Sequence, residues 1–361
     1  MKRFYTRVCN FYYGEVSKKL VNNKKSIPLN GNKNISFDHI EIISRNSKKV
    51  IPLNKINSLS KLIKKQINLD LKKIRLKKKN FANLNFLQTP NIMGVLNLTP
   101  DSFSDGGKFN TKNKALKHAL EMFESGAKIV DVGGESTRPG SKSIDQNLEW
   151  KRIEKILKAL KKKIPISLDT RKAEIMKRGI NLNVKIINDV SGLSYDPESI
   201  NILKRYKIPF VIQHSQGLPE NMQNNPNYKN VLLDIFDFFE NKIKFLRSIG
   251  INHNNIIIDP GIGFGKNLKH NMTLFRNISI FHSLGFPILV GNSRKKFIKE
   301  ISGRNDTNSR IGGTVASSIY LMMQGVQILR THDVNEVLQS VKIFKELIKH
   351  WWQKNILEQM E

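Results

Sequence analysis

From Asn91 onward, short β-branched runs alternate with amphipathic stretches of 10 to 20 residues, the pattern of βα units feeding a parallel sheet. Eight strands are predicted: NIMGVLN (91–97), KIVDVG (128–133), IPISLD (164–169), VKIIND (184–189), IPFVIQ (208–213), NIIIDP (255–260), FPILVG (286–291) and VQILR (326–330). Each precedes a segment with helical periodicity, among them 114–124, 148–161, 231–247 and 334–351. Eight such units in about 270 residues match the size of a (β/α)8 TIM barrel, whereas an open doubly wound sheet ordinarily has fewer strands. The barrel is expected over residues 90–352, with 353–361 as a tail.

Residues 1–89 read differently. They are rich in Lys and Asn, with apolar pieces only at FDHIEII (37–43) and KVIPL (49–53), which suggest a small hairpin. Leu59, Leu62, Ile63, Ile67, Leu71 and Ile74 then recur at helical spacing. This is a small basic N-terminal extension, too poor in apolar material for a second catalytic domain.

Charge sharpens that division. The chain carries 61 Lys+Arg against 30 Asp+Glu, a net of +31, and residues 1–89 alone hold 21 against 4, a net of +17. A basic arm of this kind either binds nucleic acid or another acidic surface through counterion release, or simply solvates a surface in a chain that favours Lys, Asn and Ile throughout. The absence of interleaved aromatic and basic residues favours the second reading, and nucleic acid is not the expected partner. The single cysteine, Cys9, excludes an internal disulfide and a Cys-based metal site, and fits a reducing compartment. No apolar run of seven opens the chain, and the longest uncharged stretch, Ile311 to Leu329, holds Gly, Ser and Gln residues that suit a buried helix and strand better than a membrane span. A cytoplasmic enzyme without membrane association is the expectation.

A barrel gathers reactive residues at the C-terminal ends of its strands. Asn97, Thr99, Asp101 and Asp105 follow the first strand; Glu135, Thr137 and Arg138 the second; Asp169 ends the third; Asn188 and Asp189 end the fourth. Gln213 and His214, Asp259, Ser293 with Arg294 and Lys295, and Arg330 with His332 follow the rest. Asp169, Asn188, Asp259 and Lys295 stand where polar groups are partly desolvated and need partners. Two carboxylates, an amide and an ammonium suit a flat heterocycle with an amino-amidine edge and a carbonyl, unless they satisfy one another. Arg330, His332, Arg138 and the backbone of GGESTRPGS resemble an anion site, at a place where such barrels often bind phosphate. Asn97 offers Mg²⁺ a hard oxygen, and a diphosphate held with that ion would be a stabilised leaving group. The loop NLTPDSFSDGGKF has the turn residues of a lid, with Phe103 placed to close over an aromatic substrate. GIGFGK (261–266) matches neither dinucleotide nor Walker patterns.

These residues resemble the dihydropteroate synthase family over about residues 90–350. The resemblance is carried by NIMGVLNLTPDSFSDGG, IVDVGGESTRPGS, ISLDT, INDVSG, DPGIGFGK, GNSRK and RTHDV, in the family's order. It implies condensation of 6-hydroxymethyl-7,8-dihydropterin diphosphate with 4-aminobenzoate, giving 7,8-dihydropteroate and diphosphate in folate biosynthesis. It further implies that Asp169, Asn188, Asp259 and Lys295 bind the pterin and that Thr137, Arg330 and His332 take the diphosphate. Asn97 would help hold Mg²⁺. Phe103, Arg138, Pro139, Phe264 and Ser293 would border the 4-aminobenzoate pocket, where sulfonamides compete in this family. Asp101, Lys295, Arg330 and His332 would assist an ionisation-led substitution that needs no protein nucleophile, and a homodimer is expected. The chain departs from the family at Gln213, where a methionine is usual, at Ser215, and at Ile262, so the apolar wall of the pterin pocket is altered. A pterin-dependent methyltransferase, or a paralogue without synthase activity, is the alternative; the methyltransferase would not need Asn97, Arg138, Arg330 and His332 together.

Overall fold

The computed structural model describes residues 4–99, 111–138, 140–217 and 219–358. Its first unit is a four-stranded sheet made from β1 (Tyr5–Tyr13), β2 (Ile27–Leu29), β3 (Asn32–Ile43) and β4 (Lys48–Pro52), with α1 (Gly14–Asn22) and α2 (Lys61–Arg75). The long β3 is central: β1 runs antiparallel along one edge from Tyr5↔Ile43 to Tyr13↔Ile35, while β2 and β4 share the other. Helix α2 buries Ile67, Leu71 and Ile74, spaced so that they share one face, against Val8, Phe37 and Ile40. The extension thus has a small core of its own, and it holds two strands and a helix, β1, β2 and α1, beyond the hairpin and helix that its hydrophobic pattern suggests. In β1 Val8 packs into the extension's own core while Tyr5, on the opposite face, packs against the barrel, and Thr6, Arg7, Cys9 and Asn10 interrupt any run of aliphatics, so the strand is easily missed.

The extension is docked on the barrel's helical layer. The remaining strands are β5 (Asn91–Asn97), β6 (Ile129–Gly133), β7 (Ile166–Asp169), β8 (Ile186–Asp189), β9 (Phe210–Gln213), β10 (Ile256–Asp259), β11 (Leu289–Gly291) and β12 (Ile328–Thr331). Between and after them run α3 (Thr111–Glu124), α4 (Gln146–Leu160), α5 (Ala173–Asn181), α6 (Glu198–Tyr206), α7 (Val231–Ser248), α8 (Leu268–Asn277), α9 (Lys296–Ser302), α10 (Ile311–Met323) and α11 (Val334–Glu358). Tyr5 donates to Asp237 Oδ1 at 2.8 Å, and Arg45 reaches Asp234 and Asp237 of α7 at 2.8 and 2.7 Å. The Ser279 hydroxyl donates to the Val8 carbonyl, and Tyr13 donates to the carbonyl of Met323.

All eight strands pair in parallel in the order β10-β9-β8-β7-β6-β5-β12-β11, and a parallel bridge between Ile258 and Ile288 joins β10 to β11 and closes the ring. This is the (β/α)8 barrel expected from the sequence. Three strands begin later than their apolar runs because Pro165, Pro209 and Pro287 have no N–H for the ladder; each contributes only its carbonyl, to Val130, Ile187 and Ile258.

Polarity changes along the barrel axis. At the N-terminal end, Met93, Ile129, Ile186, Val211, Ile257, Leu289 and Ile328 form an apolar layer closed from below by Leu84 and Phe86. At the C-terminal end the inward residues are Asp131, Asp169, Asn188, Gln213, Asp259 and Arg330, two positions further along their strands than that apolar layer or more. The apolar floor excludes water from beneath a polar mouth.

Candidate active site

Asp131 lies mid-strand in β6 with no solvent exposure. It accepts from Arg330 Nε at 2.7 Å and from Asn188 Nδ2 at 2.9 Å, while Arg330 Nη2 donates to Asp169 at 2.8 Å. One guanidinium therefore bridges two buried acids, and its fork fixes both. Asp131 was not among the residues singled out from the sequence. The signal was present, since an acid in the centre of IVDVG has nowhere to go but the barrel interior.

Burial raises the Asp169 carboxyl well above the usual carboxylate range, against the pull of Arg330 and reinforced by the neighbouring Asp131. Asp259 is likewise pushed up to about 6 by burial, opposed by the Gly261 N–H, which donates to it at 2.7 Å, and by Lys295. That N–H is available because Gly261 takes φ +68° and passes so near the His214 carbonyl that a Cβ would sit 2.0 Å from its oxygen. Lys295 is half-buried, with its ammonium 4.0 Å over the Phe264 ring, and burial lowers its pKa against the attraction of Asp259. A cleft of about 260 Å³ opens on the Phe264 side, lined also by Arg171, Ser191 and Asn221.

His332 leaves β12 beside Ser293. Its Nδ1 and backbone N–H each lie 3.2 Å from the Ser293 hydroxyl, which donates to Asp333, and Arg294 clamps Asp333 from the other side. Burial first, then Arg330 and Arg294, pushes the His332 imidazole down to about 3, so at neutral pH it is an uncharged hydrogen-bonding group rather than a second cation. Arg138 is exposed yet near enough to add to that depression, which puts it in the same field as His332. Thr137 is half-buried in the same loop. Asn97 ends β5 paired with Gly133, whose other partner is Asp169; a Cβ on Gly133 would lie 3.7 Å from Asn97 Oδ1 and 3.3 Å from Asp169 Cβ. Asp101, Asp105, Phe103 and Pro139 lie outside the described residues.

Two acids that follow strands face other partners. Glu135 accepts from Arg171 at 2.9 Å and Lys172 at 3.0 Å, and Lys172 also binds Glu149 at 2.6 Å. Asp189 is tied into its own turn by Ser191 and Leu193. Both shape loops. Among the described residues no three His, Cys, Asp or Glu side chains converge as a metal site, and no helix is long and apolar enough to cross a membrane.

A family model described as pterin binding enzyme matches residues 93–332. The dihydropteroate synthase of Synechocystis sp. is 39% identical over 254 residues, covering 70% of this chain and 88% of that protein. A crystal structure of the Yersinia pestis dihydropteroate synthase with a sulfonamide drug superposes with TM-score 0.67 at 38% identity, over 72% of this chain and 94% of that one. The Xanthomonas albilineans dihydropteroate synthase in complex with 7,8-dihydropteroate superposes with TM-score 0.66 at 30% identity, over 73% and 95%. With its closed ring, its polar mouth and these likenesses, the chain belongs to the dihydropteroate synthase family of pterin-binding enzymes.

Proposed function

We propose that the barrel mouth joins 6-hydroxymethyl-7,8-dihydropterin diphosphate to 4-aminobenzoate, with the roles divided between two walls. Asp169, Asn188, Asp259 and Lys295 hold the pterin. Asp131 Oδ1 and Asn188 Oδ1 are buried and have no protein partner among the described residues, and this pair of unmet acceptors beside a fixed guanidinium is the observation that carries the reading. The amino-pyrimidinone edge of a pterin supplies the missing donors.

Arg330, with Thr137 and the neutral His332, takes the diphosphate. As the carbon–oxygen bond breaks, its electron pair leaves on the diphosphate oxygen, where Arg330 already stands, held by Asp131 and Asp169 and needing no reorganisation. The pterin methylene carbon then accepts the lone pair of the arylamine, whose nitrogen gives up a proton to the released diphosphate or to water. Phe264 and Ser293, with Arg138, Pro139 and Phe103, border the arylamine's pocket, and Asp101 assists from the loop after β5. A single carboxamide oxygen at the C-terminal end of β5 fits Mg²⁺, which takes most of its oxygens from diphosphate and water; Asn97 would hold that ion, which when bound neutralises charge on the leaving group.

We take the cytoplasm as its compartment, a reading that the lone Cys9 supports. A second copy of the chain is its partner, through the face of α10 and α11 that exposes Tyr320, Ile343 and Leu347.

Calorimetric titration with free pterin and with pterin diphosphate tests the division of labour. Asp259→Ala removes binding of both ligands. Arg330→Lys keeps the charge that Asp131 and Asp169 require but loses the fork, so it spares free pterin and weakens the diphosphate by about tenfold. Equal binding of free pterin by wild type and both variants refutes the assignment.

A further inference from the structure

Inside the barrel, Gln213 is the inward residue of β9 in direct register with Asp259 of β10, one strand on from Asn188. It is 4% exposed, and its Nε2 has no hydrogen-bond partner among the described residues. A buried amide donor left unpaired is destabilising, and a glutamine kept for structural reasons would be paired within the protein. Its stem runs beside the turn that orients Asp259: a Cβ built on Gly261 would lie 3.3 Å from Gln213 Cγ.

The complementarity is specific. A pyrimidinone edge presents a carbonyl acceptor beside N–H and amino donors. The Asp259 carboxylate and the unpaired Asn188 Oδ1 only accept, so they answer the donors. The ring's acceptors take donors: Lys295 offers its ammonium, and on β9 beside Asp259 the Gln213 Nε2 is a second, unmet buried donor. We infer that Gln213 is a specificity-determining residue for the pterin, its carboxamide donating a hydrogen bond to an acceptor atom of the pyrimidinone ring next to the edge read by Asp259. The inference rests on the reading of Asp259 and Asn188 as pterin ligands.

The experiment uses the full chain with 6-hydroxymethylpterin as the probe, comparing wild type, Gln213→Met, Gln213→Leu and Asp259→Ala. The two apolar variants conserve volume and remove the donor. Each is expected to bind the pterin roughly 5- to 30-fold more weakly, with KM for 4-aminobenzoate unchanged within twofold. Because the unmet donor is gone, the unliganded variants melt at or above the wild-type temperature; a merely structural glutamine would instead lower the melting temperature and leave affinity alone. Wild-type binding with loss in Asp259→Ala, but unchanged or tighter binding in both Gln213 variants, overturns the role of Gln213 alone. Failure of wild type to bind the pterin, or undiminished binding by Asp259→Ala, overturns the site reading and this inference with it.

Discussion

Removing the Asp131 carboxylate tests whether Arg330 is positioned by the protein or only by its ligand. In Asp131→Ala, Arg330 Nε and Asn188 Nδ2 lose acceptors at 2.7 and 2.9 Å, and the guanidinium keeps Asp169 alone. Breaking a buried ion pair by deleting one partner costs about 3–5 kcal/mol. The unpaired Asn188 donor belongs to the same cluster, so its penalty is not added separately. Such a loss is a large share of the roughly 5–15 kcal/mol that stabilises a domain. Asp131→Asn is the graded control: a carboxamide oxygen in the same place accepts both bonds without the charge, for a loss of about 1–2 kcal/mol. Catalysis should suffer more than stability in the Asn variant, because Arg330 then has one charged anchor and turns away from the leaving oxygen; a displaced electrostatic stabiliser costs about 10²–10³ in kcat. Urea denaturation followed by tryptophan fluorescence reads the first quantity, and a diphosphate-release assay the second. An Asp131→Ala protein within about 1 kcal/mol of wild type and with kcat within twofold would refute the reasoning.

Two further outcomes follow from the surroundings of the barrel. Lys78 is 4% exposed, makes no ion pair among the described residues, and donates to the Gly285 and Lys73 carbonyls; burial lowers its pKa to about 7. The unfolded chain holds that proton up to roughly pH 10.4, so between about 7 and 10.4 it binds more protons than the folded protein and stability rises with pH. Lys78→Met should lose a pH-dependent gain of a few kcal/mol across that window, measured by urea denaturation at pH 7 and pH 10; parallel curves for the two proteins would refute it. Exposed Ile343 and Leu347 on α11 make the second-copy contact testable: light scattering should give twice the chain mass of 41.5 kDa for wild type and the single mass for the double substitution to Glu, and a monomeric wild type would refute it.

The ring was readable because each strand alternates an outward apolar residue for the helices with an inward one for the axis, and eight such runs leave few other architectures. Proline shifted the strand starts by two or three residues for a reason the runs do not show, since an apolar Ile-Pro-Ile reads as strand whether or not its N–H is there to pair. The mouth was only partly readable. Asp169, Asn188 and Asp259 stand last or next to last on their strands, where an acid advertises itself, but Asp131 sits two residues deeper, and its importance depends on Arg330 arriving from a strand 199 residues later. Glu135 shows the opposite: it stands in the right loop, yet Arg171 and Lys172, encoded 36 and 37 residues on, claim its carboxylate. Position after a strand indicates which side chains reach the mouth; it does not indicate which of them are already spoken for.

The docking of the N-terminal sheet has a consequence for biosynthesis. Its anchors are Asp237, Ser279 and Met323, separated from their partners by 232, 271 and 310 residues. At about 5–20 residues per second, the strand bearing Tyr13 leaves the ribosome roughly 15 to 60 s before the carbonyl it binds has been made. Through that interval Tyr5 and Ile43, which end up in the barrel's own apolar cluster, have no helical layer to cover them. This module is therefore translated before the barrel yet secured only once α10 has emerged, and until then it carries an apolar edge of the kind a holding chaperone covers.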